Sequence, residues 1–186
     1  IKKMKFQETK LKGSYLIDYE RYKDERGSFD RVFCQKTFQT LLKQKNICQI
    51  NRSFTKKKGT VRGLHFQYPP HAEIKIVSCL KGKVWDVALD VRKGSPTFME
   101  YHAVILSGDS SQSFFIPEGF AHGFQTLTND CEMLYFHTAD YNINAEGTFN
   151  ALDQRLKIQW PNNITERSER DINYPMLSEN FLGVKI

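Results

Sequence analysis

From about residue 74 to residue 138, apolar and polar positions alternate in short runs separated by turns. Residues 74–80 are apolar except for Lys75 and Ser78 and end at the turn Lys81-Gly82-Lys83. In residues 84–91 the alternation is strict: Trp85, Val87, Leu89 and Val91 share one face, and Asp86, Ala88 and Asp90 share the other. Successive side chains of a strand point to opposite sides of a sheet, so this period predicts a strand with two distinct faces. It closes at Lys93-Gly94-Ser95-Pro96. Further strands are predicted over 101–106, over 113–116 after Ser107-Gly108-Asp109, and over 131–138 after Thr128-Asn129-Asp130. Turns about every ten residues favour an antiparallel sandwich or barrel. Helix is predicted only over 35–45, with a turn near 144–149. No repeat, low-complexity tract or linker interrupts the chain, which predicts one domain over 1–186, all-β with a few short helices.

Composition narrows the class. At 186 residues the chain can bury a full core without disulfide staples. Cys34, Cys48, Cys79 and Cys131 are widely spaced with no CxxC pair, the pattern of reduced thiols in a cytoplasmic protein. No apolar run is long enough to span a bilayer, and nothing near Ile1 has the layout of a secretory signal, so no membrane partner is expected. Ile1 in place of Met predicts a trimmed or tagged start, with Met4 as the natural one. A net charge of +6 invites a nucleic-acid reading. The densest basic run, Lys56-Lys57-Lys58, ends in Gly59 and suits a solvated loop, and no nucleic-acid motif accompanies it. No nucleic acid is expected, because a small phosphorylated ligand would use the same positive field.

The candidate chemistry lies in strands. His65 follows Arg62-Gly63-Leu64 where a strand should begin, and His122 ends a Pro/Gly turn leading into another. Lys75 falls inside an apolar strand, where an unpaired ammonium is costly unless it faces a wet pocket. Asp86 projects from the face holding only Asp and Ala, and Tyr135 shares a face with Met133 and His137. Each alone has a bland reading as a surface or satisfied core group. Together they predict a polar pocket at the mouth of the barrel.

The run Pro117-Glu118-Gly119-Phe120-Ala121-His122 is similar to the second motif of the cupin superfamily, many of whose members bind a metal. Metal-binding cupins usually supply a His-x-His pair and a later Glu from their first motif. Here the corresponding segment is Leu64-His65-Phe66-Gln67, a poor ligand set, so no metal is expected.

From about Asp24 to Pro175 the chain resembles the dTDP-4-dehydrorhamnose 3,5-epimerases, metal-free cupins of deoxysugar biosynthesis. The resemblance rests on Val61-Arg62-Gly63-Leu64-His65-Phe66-Gln67, Gly94-Ser95-Pro96-Thr97-Phe98, the run from Pro117 to Phe124, and Ser168-Glu169-Arg170-Asp171, in order and at family spacing. It implies a cupin-type jelly roll that epimerises C3 and/or C5 of a nucleotide-linked 4-keto-6-deoxy sugar, without a cofactor. His65 would be the base, oriented by Asp171. Tyr135 would be the acid on the opposite sugar face, and Lys75 would steady the carbonyl oxygen. Arg62 and Arg170 would hold the pyrophosphate, with Gln49, Asn51 and His122 nearby and Asp86 and Tyr141 also at the substrate. Family members form homodimers with exchanged N-terminal strands, so Arg26 and Phe29 would reach the partner's nucleotide pocket.

Members acting on dTDP sugars usually read Arg-Gly-x-Phe-x-Glu there, the Glu contacting thymine. This chain reads Arg26-Gly27-Ser28-Phe29-Asp30-Arg31. A carboxylate accepts a hydrogen bond from a base N–H, whereas an arginine only donates. Arg31 therefore favours a base with acceptors, guanine or cytosine, unless a register shift brings Asp30 to the Glu position. Two rival functions share the fold: a sugar-nucleotide 3,4-ketoisomerase and a non-catalytic nucleotide-sugar binder. The placing of Tyr135 and Lys75 and the run from Arg62 to Gln67 speak against the first. The second has no reason to keep base and acid together.

Overall fold

The computed structural model describes residues 4–186; the predicted trimmed start at Ile1 lies outside them. In chain order the strands are β1 (Lys5–Glu8), β2 (Tyr15–Asp18), β3 (Arg21–Asp24), β4 (Gly27–Asp30), β5 (Gln49–Thr55), β6 (Val61–Gln67), β7 (Lys75–Lys81), β8 (Lys83–Asp90), β9 (Tyr101–Ser107), β10 (Gln112–Ile116), β11 (Phe120–Thr126), β12 (Cys131–His137) and β13 (Glu146–Thr148). Helix α1 (Gln35–Leu42) precedes β5, and α2 (Glu169–Asn173) follows β13. One antiparallel sheet has the order β1-β2-β10-β7-β12-β5 and a second the order β13-β6-β11-β8-β9, while β3 and β4 form a separate hairpin. This is the antiparallel sandwich that the turn spacing predicts, of the cupin jelly-roll type.

Side-chain alternation builds three apolar layers. Between the sheets, Val77, Phe114, Ile116 and Met133 of the first meet Val84, Ala88, Leu106 and Phe124 of the second. Behind the second sheet, Leu64, Val87, Leu89 and Ala121 are covered by Phe149, Leu156 and Val184 from the C-terminal third. Behind the first, Ile76, Phe115 and Phe136 receive Phe38 and Leu42 of α1. Each fully buried Leu, Ile or Phe contributes roughly 1.5–3 kcal/mol through area removed from water. Both faces of β8 are therefore buried, Val87 and Leu89 outward and Ala88 inward.

Helix α1 is shorter than the predicted 35–45. Lys43 and Gln44 leave the helix with φ of 49° and 70°, turning the chain back toward β5 once Leu42 is buried. Over 144–149 only a single 3-10 turn forms at Ile143–Ala145, and β13 takes over by pairing with β6. Strand β6 begins at Val61, so His65 lies mid-strand and not at its start.

Candidate active site

The inward face of the first sheet turns polar at one end. On β12 the inward series runs Met133, Tyr135, His137, and on β7 it runs Cys79, Val77, Lys75, in each case from core to cavity. Their register makes His137 the direct partner of Lys75, and Asn51 of β5 the partner of Tyr135. From the second sheet, His65 of β6 pairs directly with His122 of β11. These side chains, with Ser53, Arg62 and Arg170, enclose a cavity of about 280 Å³. A second lobe of about 160 Å³ adjoins it, bordered by Gln49, Gln67, Glu73, Tyr141 and Glu146 and sharing Asn51, His65, Lys75 and His137.

Gly63 makes this pairing possible. Its φ is +101°, and a Cβ there would stand 2.5 Å from the His122 carbonyl oxygen. Only glycine lets β6 approach β11 so closely beside a bulge between His122 and Phe124.

Three imidazoles border the cavity, each tied to a carboxylate. Asp171 Oδ1 lies 2.8 Å from His65 Nε2. Ser168 caps α2 by accepting from the Asp171 N–H at 3.1 Å, and Asp171 Oδ2 accepts from the Gly63 N–H at 3.4 Å. Burial raises the Asp171 carboxyl, but its bond to His65 and the charge there outweigh this and hold it below the usual carboxylate range. An ionised carboxylate only accepts, so His65 Nε2 carries the hydrogen and Nδ1 is left with the basic lone pair. The His65 side chain is 26% exposed, which keeps it reachable from the cavity. Arg170 Nη2 stands 3.1 Å from the same Nε2. Two donors cannot bond, and the guanidinium is paired instead through Nη1 with Glu146 at 2.9 Å.

The second pair is His122 with Asp86, whose oxygens lie 2.9 and 3.0 Å from His122 Nε2. Asp86 is a correction to the expectation. It is fully buried with both oxygens on the histidine, so it stands behind His122 and does not border the cavity. Burial pushes its carboxyl up, opposed by His122 and Lys75. The third pair, His137 with Glu73 at 2.7 Å, also holds Lys75.

Tyr135 Oη is 2.9 Å from Ser53 Oγ. Burial raises the Tyr135 phenol well above its ordinary range, so it is protonated at neutral pH and available as a donor. Lys75 Nζ donates to the His65 carbonyl oxygen at 3.2 Å. An imidazole from one sheet and a phenol and ammonium from the other border one cavity, an arrangement that can remove a proton on one side and return one on the other.

Gln49 and Tyr141 belong to the adjoining lobe, where Gln49 Oε1 accepts from the Tyr141 backbone N–H at 3.1 Å. Arg26, Phe29 and Arg31 do not join this cavity. Arg26 pairs with Asp24 at 2.6 Å, and Phe29 is 64% exposed on the β3–β4 hairpin. Arg31 is exposed just beyond it, while Asp30 is engaged by Arg21 at 2.8 and 3.1 Å. Sequence reasoning missed Ser53 and Glu73. The alternation Gln49, Asn51, Ser53 and the spacing of Glu73 two before Lys75 were the available signals. Among the described residues, no group of three or more His, Cys, Asp or Glu could hold a metal ion. The four cysteines are free, and burial pushes the Cys79 thiol up to about 12, which keeps it inert. No helix among the described residues is long and apolar enough to cross a membrane.

A family model described as dTDP-4-dehydrorhamnose 3,5-epimerase matches residues 8–179. The chain is 39% identical over 176 residues to a Salmonella typhimurium protein of that name, covering 94% of this chain and 96% of the relative. Among solved structures, the dTDP-4-dehydrorhamnose 3,5-epimerase of Elizabethkingia anophelis is similar with a TM-score of 0.89 at 37% identity, over 97% of this chain and 100% of that one. The dTDP-6-deoxy-D-glucose-3,5-epimerase of Legionella pneumophila, solved in complex with dTDP-4-keto-L-rhamnose, is similar with a TM-score of 0.91 at 36% identity, over 98% of both chains.

Proposed function

The chain belongs to the dTDP-4-dehydrorhamnose 3,5-epimerase family, and from that premise we propose the division of labour in its site. The enzyme is an isomerase of deoxysugar biosynthesis that inverts carbons beside the ketone of a nucleotide-linked 4-keto-6-deoxy sugar, at C3, C5 or both. The observation that carries the residue assignment is His65 of one sheet, paired with Asp171, bordering the same cavity as Tyr135 and Lys75 of the other.

His65 takes the proton from the carbon next to the ketone, since a neutral imidazole with its Nδ1 lone pair free is a competent base near neutral pH. Asp171 fixes its tautomer and stabilises the imidazolium. The electrons spread onto the ketone oxygen, and Lys75 meets the resulting enolate with a charge already in place. Tyr135 returns a proton to the opposite face. Arg62 and Arg170 hold the diphosphate, with Gln49, Asn51, His122 and Tyr141 around the ligand. No step needs a hydride carrier or a metal. Conversion of a 4-keto-6-deoxy sugar nucleotide to its epimer should survive exhaustive EDTA treatment; activity that is lost and then restored by a stoichiometric transition metal would overturn the metal-free assignment.

We further assign a homodimer in the cytoplasm, each hairpin reaching the partner's nucleotide pocket. The exposure of Phe29 and Arg26, outside this chain's own cavity, supports this reading. It makes Arg31 the residue facing the base, because Asp30 is held by Arg21. Binding of GDP or CDP should then exceed that of dTDP by about ten- to a hundredfold, the cost of a mispaired buried hydrogen bond. GDP is favoured, since arginine suits the guanine O6/N7 edge. Arg31→Glu should narrow the gap in calorimetry. Tightest binding of dTDP by the parent protein would show that Arg31 points elsewhere.

A further inference from the structure

Glu73 lies two residues before Lys75, on the same side of the chain as β7 begins. Its side chain is only 8% exposed, with Oε1 3.2 Å from Lys75 Nζ and Oε2 2.7 Å from His137 Nδ1. Because Lys75 and His137 are cross-strand partners, one carboxylate bridges them from the end of the sheet. The remaining nitrogen, His137 Nε2, has only a long 3.4 Å contact to Asn51 Nδ2, and Asn51 itself borders the cavity. The His137 ring stacks beside Tyr135 at 6.2 Å and 29°, at the junction of the two lobes. A buried side-chain nitrogen is usually hydrogen-bonded, and Nε2 is placed to make such a bond to a ligand.

We propose that Glu73 and His137 belong to the active site: Glu73 is a positioning residue that keeps Lys75 charged and aimed at the reacting oxygen, and it fixes His137 with Nε2 presented to an oxygen of the bound sugar nucleotide. This rests on the assignment of Lys75 to the enolate. The groups around Lys75 are Glu73 from the loop before β7, Asp86 from β8, His122 from β11, Tyr135 and His137 from β12, and the His65 carbonyl from β6. Of these only Glu73 and Asp86 can carry negative charge, and Asp86 is raised by burial with both oxygens on His122. Glu73 is thus the counter-charge nearest the ammonium. Burial raises the Glu73 carboxyl, but Lys75 and then His137 outweigh this and hold it below the usual range, so it is ionised at neutral pH. Its acceptor-only oxygen puts the hydrogen on His137 Nδ1, leaving Nε2 to accept when neutral and to donate when protonated.

The signs follow. Lys75 must be protonated to stabilise an enolate, and a nearby negative charge favours the protonated amine. Removing that charge in Glu73→Gln should lower the pH at which Lys75 loses its proton. The alkaline limb of kcat against pH should move down by about 1–3 units, the usual effect of an opposite charge at this range. The loss should therefore be large on the alkaline side and small at about pH 6, where the amine stays protonated in both forms. An unmoved limb, or an equal loss at every pH, would overturn the positioning role. Should Glu73→Gln not fold, His137→Gln carries the test. It leaves Glu73 on Lys75, so KM should rise about tenfold, one lost hydrogen bond, with kcat falling much less. An unchanged KM would overturn the ligand contact. If the parent protein proved inactive on every 4-keto sugar, the epimerase reading would fail instead. Calorimetry with GDP and dTDP on the parent and His137→Gln would still read the His137 contact, as weaker binding by the variant or, against the inference, equal binding.

Discussion

Replacing His65 by asparagine is expected to lower kcat by about 10²–10⁴-fold while leaving the protein folded, the range typical for loss of a general base. The fold should tolerate the change because Asp171 keeps the Gly63 N–H and the Arg170 guanidinium as partners. That carboxylate is 3% exposed in its side chain, and leaving it without a partner would itself destabilise the protein. Apolar packing should be untouched, since β6 anchors itself through Leu64 and Phe66 on the opposite face. Circular dichroism and a thermal melt should match the parent. Activity within a few-fold of the parent would remove His65 from the base role. Loss of activity together with unfolding would call for a gentler change, such as His65→Gln, read by the same assay.

The second large effect separates the two faces of the sugar. Tyr135→Phe removes one oxygen, whose bond in the structure is to Ser53, and should cost on the order of 1 kcal/mol of stability. It leaves His65, Asp171 and Lys75 in place. Proton removal should therefore continue, and the variant should still exchange substrate hydrogen with solvent. Return of a proton to the opposite face should fall by about 10²-fold or more, because the phenol that burial keeps protonated is gone. Inverted product should become scarce relative to exchanged starting material, or inversion should stop after one centre. Equal loss of exchange and inversion would mean that Tyr135 serves some other purpose.

How much of this was legible depends on which face of each strand met the core. Strands β7 to β10 and β12 could be read because apolar residues fill their core positions in a regular period, as Val77 and Cys79 or Met133 do. Strand β5 escaped notice because its inward series, Gln49, Asn51 and Ser53, is polar where it borders the cavity, while exposed Ile50 and Phe54 point away from it. The usual code is inverted there, as happens where a strand lines a site and not a core. The hairpin β3–β4 is largely exposed, so no apolar face marks it. Motifs marked His65 and His122, and the cost of a lysine inside an apolar strand marked Lys75. What no motif carried was the bonding between elements: Asp86 withdrawn behind His122, and Glu73 joining Lys75 to His137 across two strands. The overlong helix prediction over 35–45 has a local cause. Lys43 and Gln44 adopt left-handed backbone without being glycine, and nothing in their identity announces the stop.

The most direct test of the central claim is incubation of the parent protein in deuterium oxide with dTDP- and GDP-linked 4-keto-6-deoxy sugars, read by mass spectrometry and proton NMR. The account predicts incorporation of deuterium at C3, C5 or both, with inverted configuration at the carbon that exchanges. Recovery of unlabelled, unchanged sugar nucleotide, or migration of the keto group from C4 to C3, would contradict it.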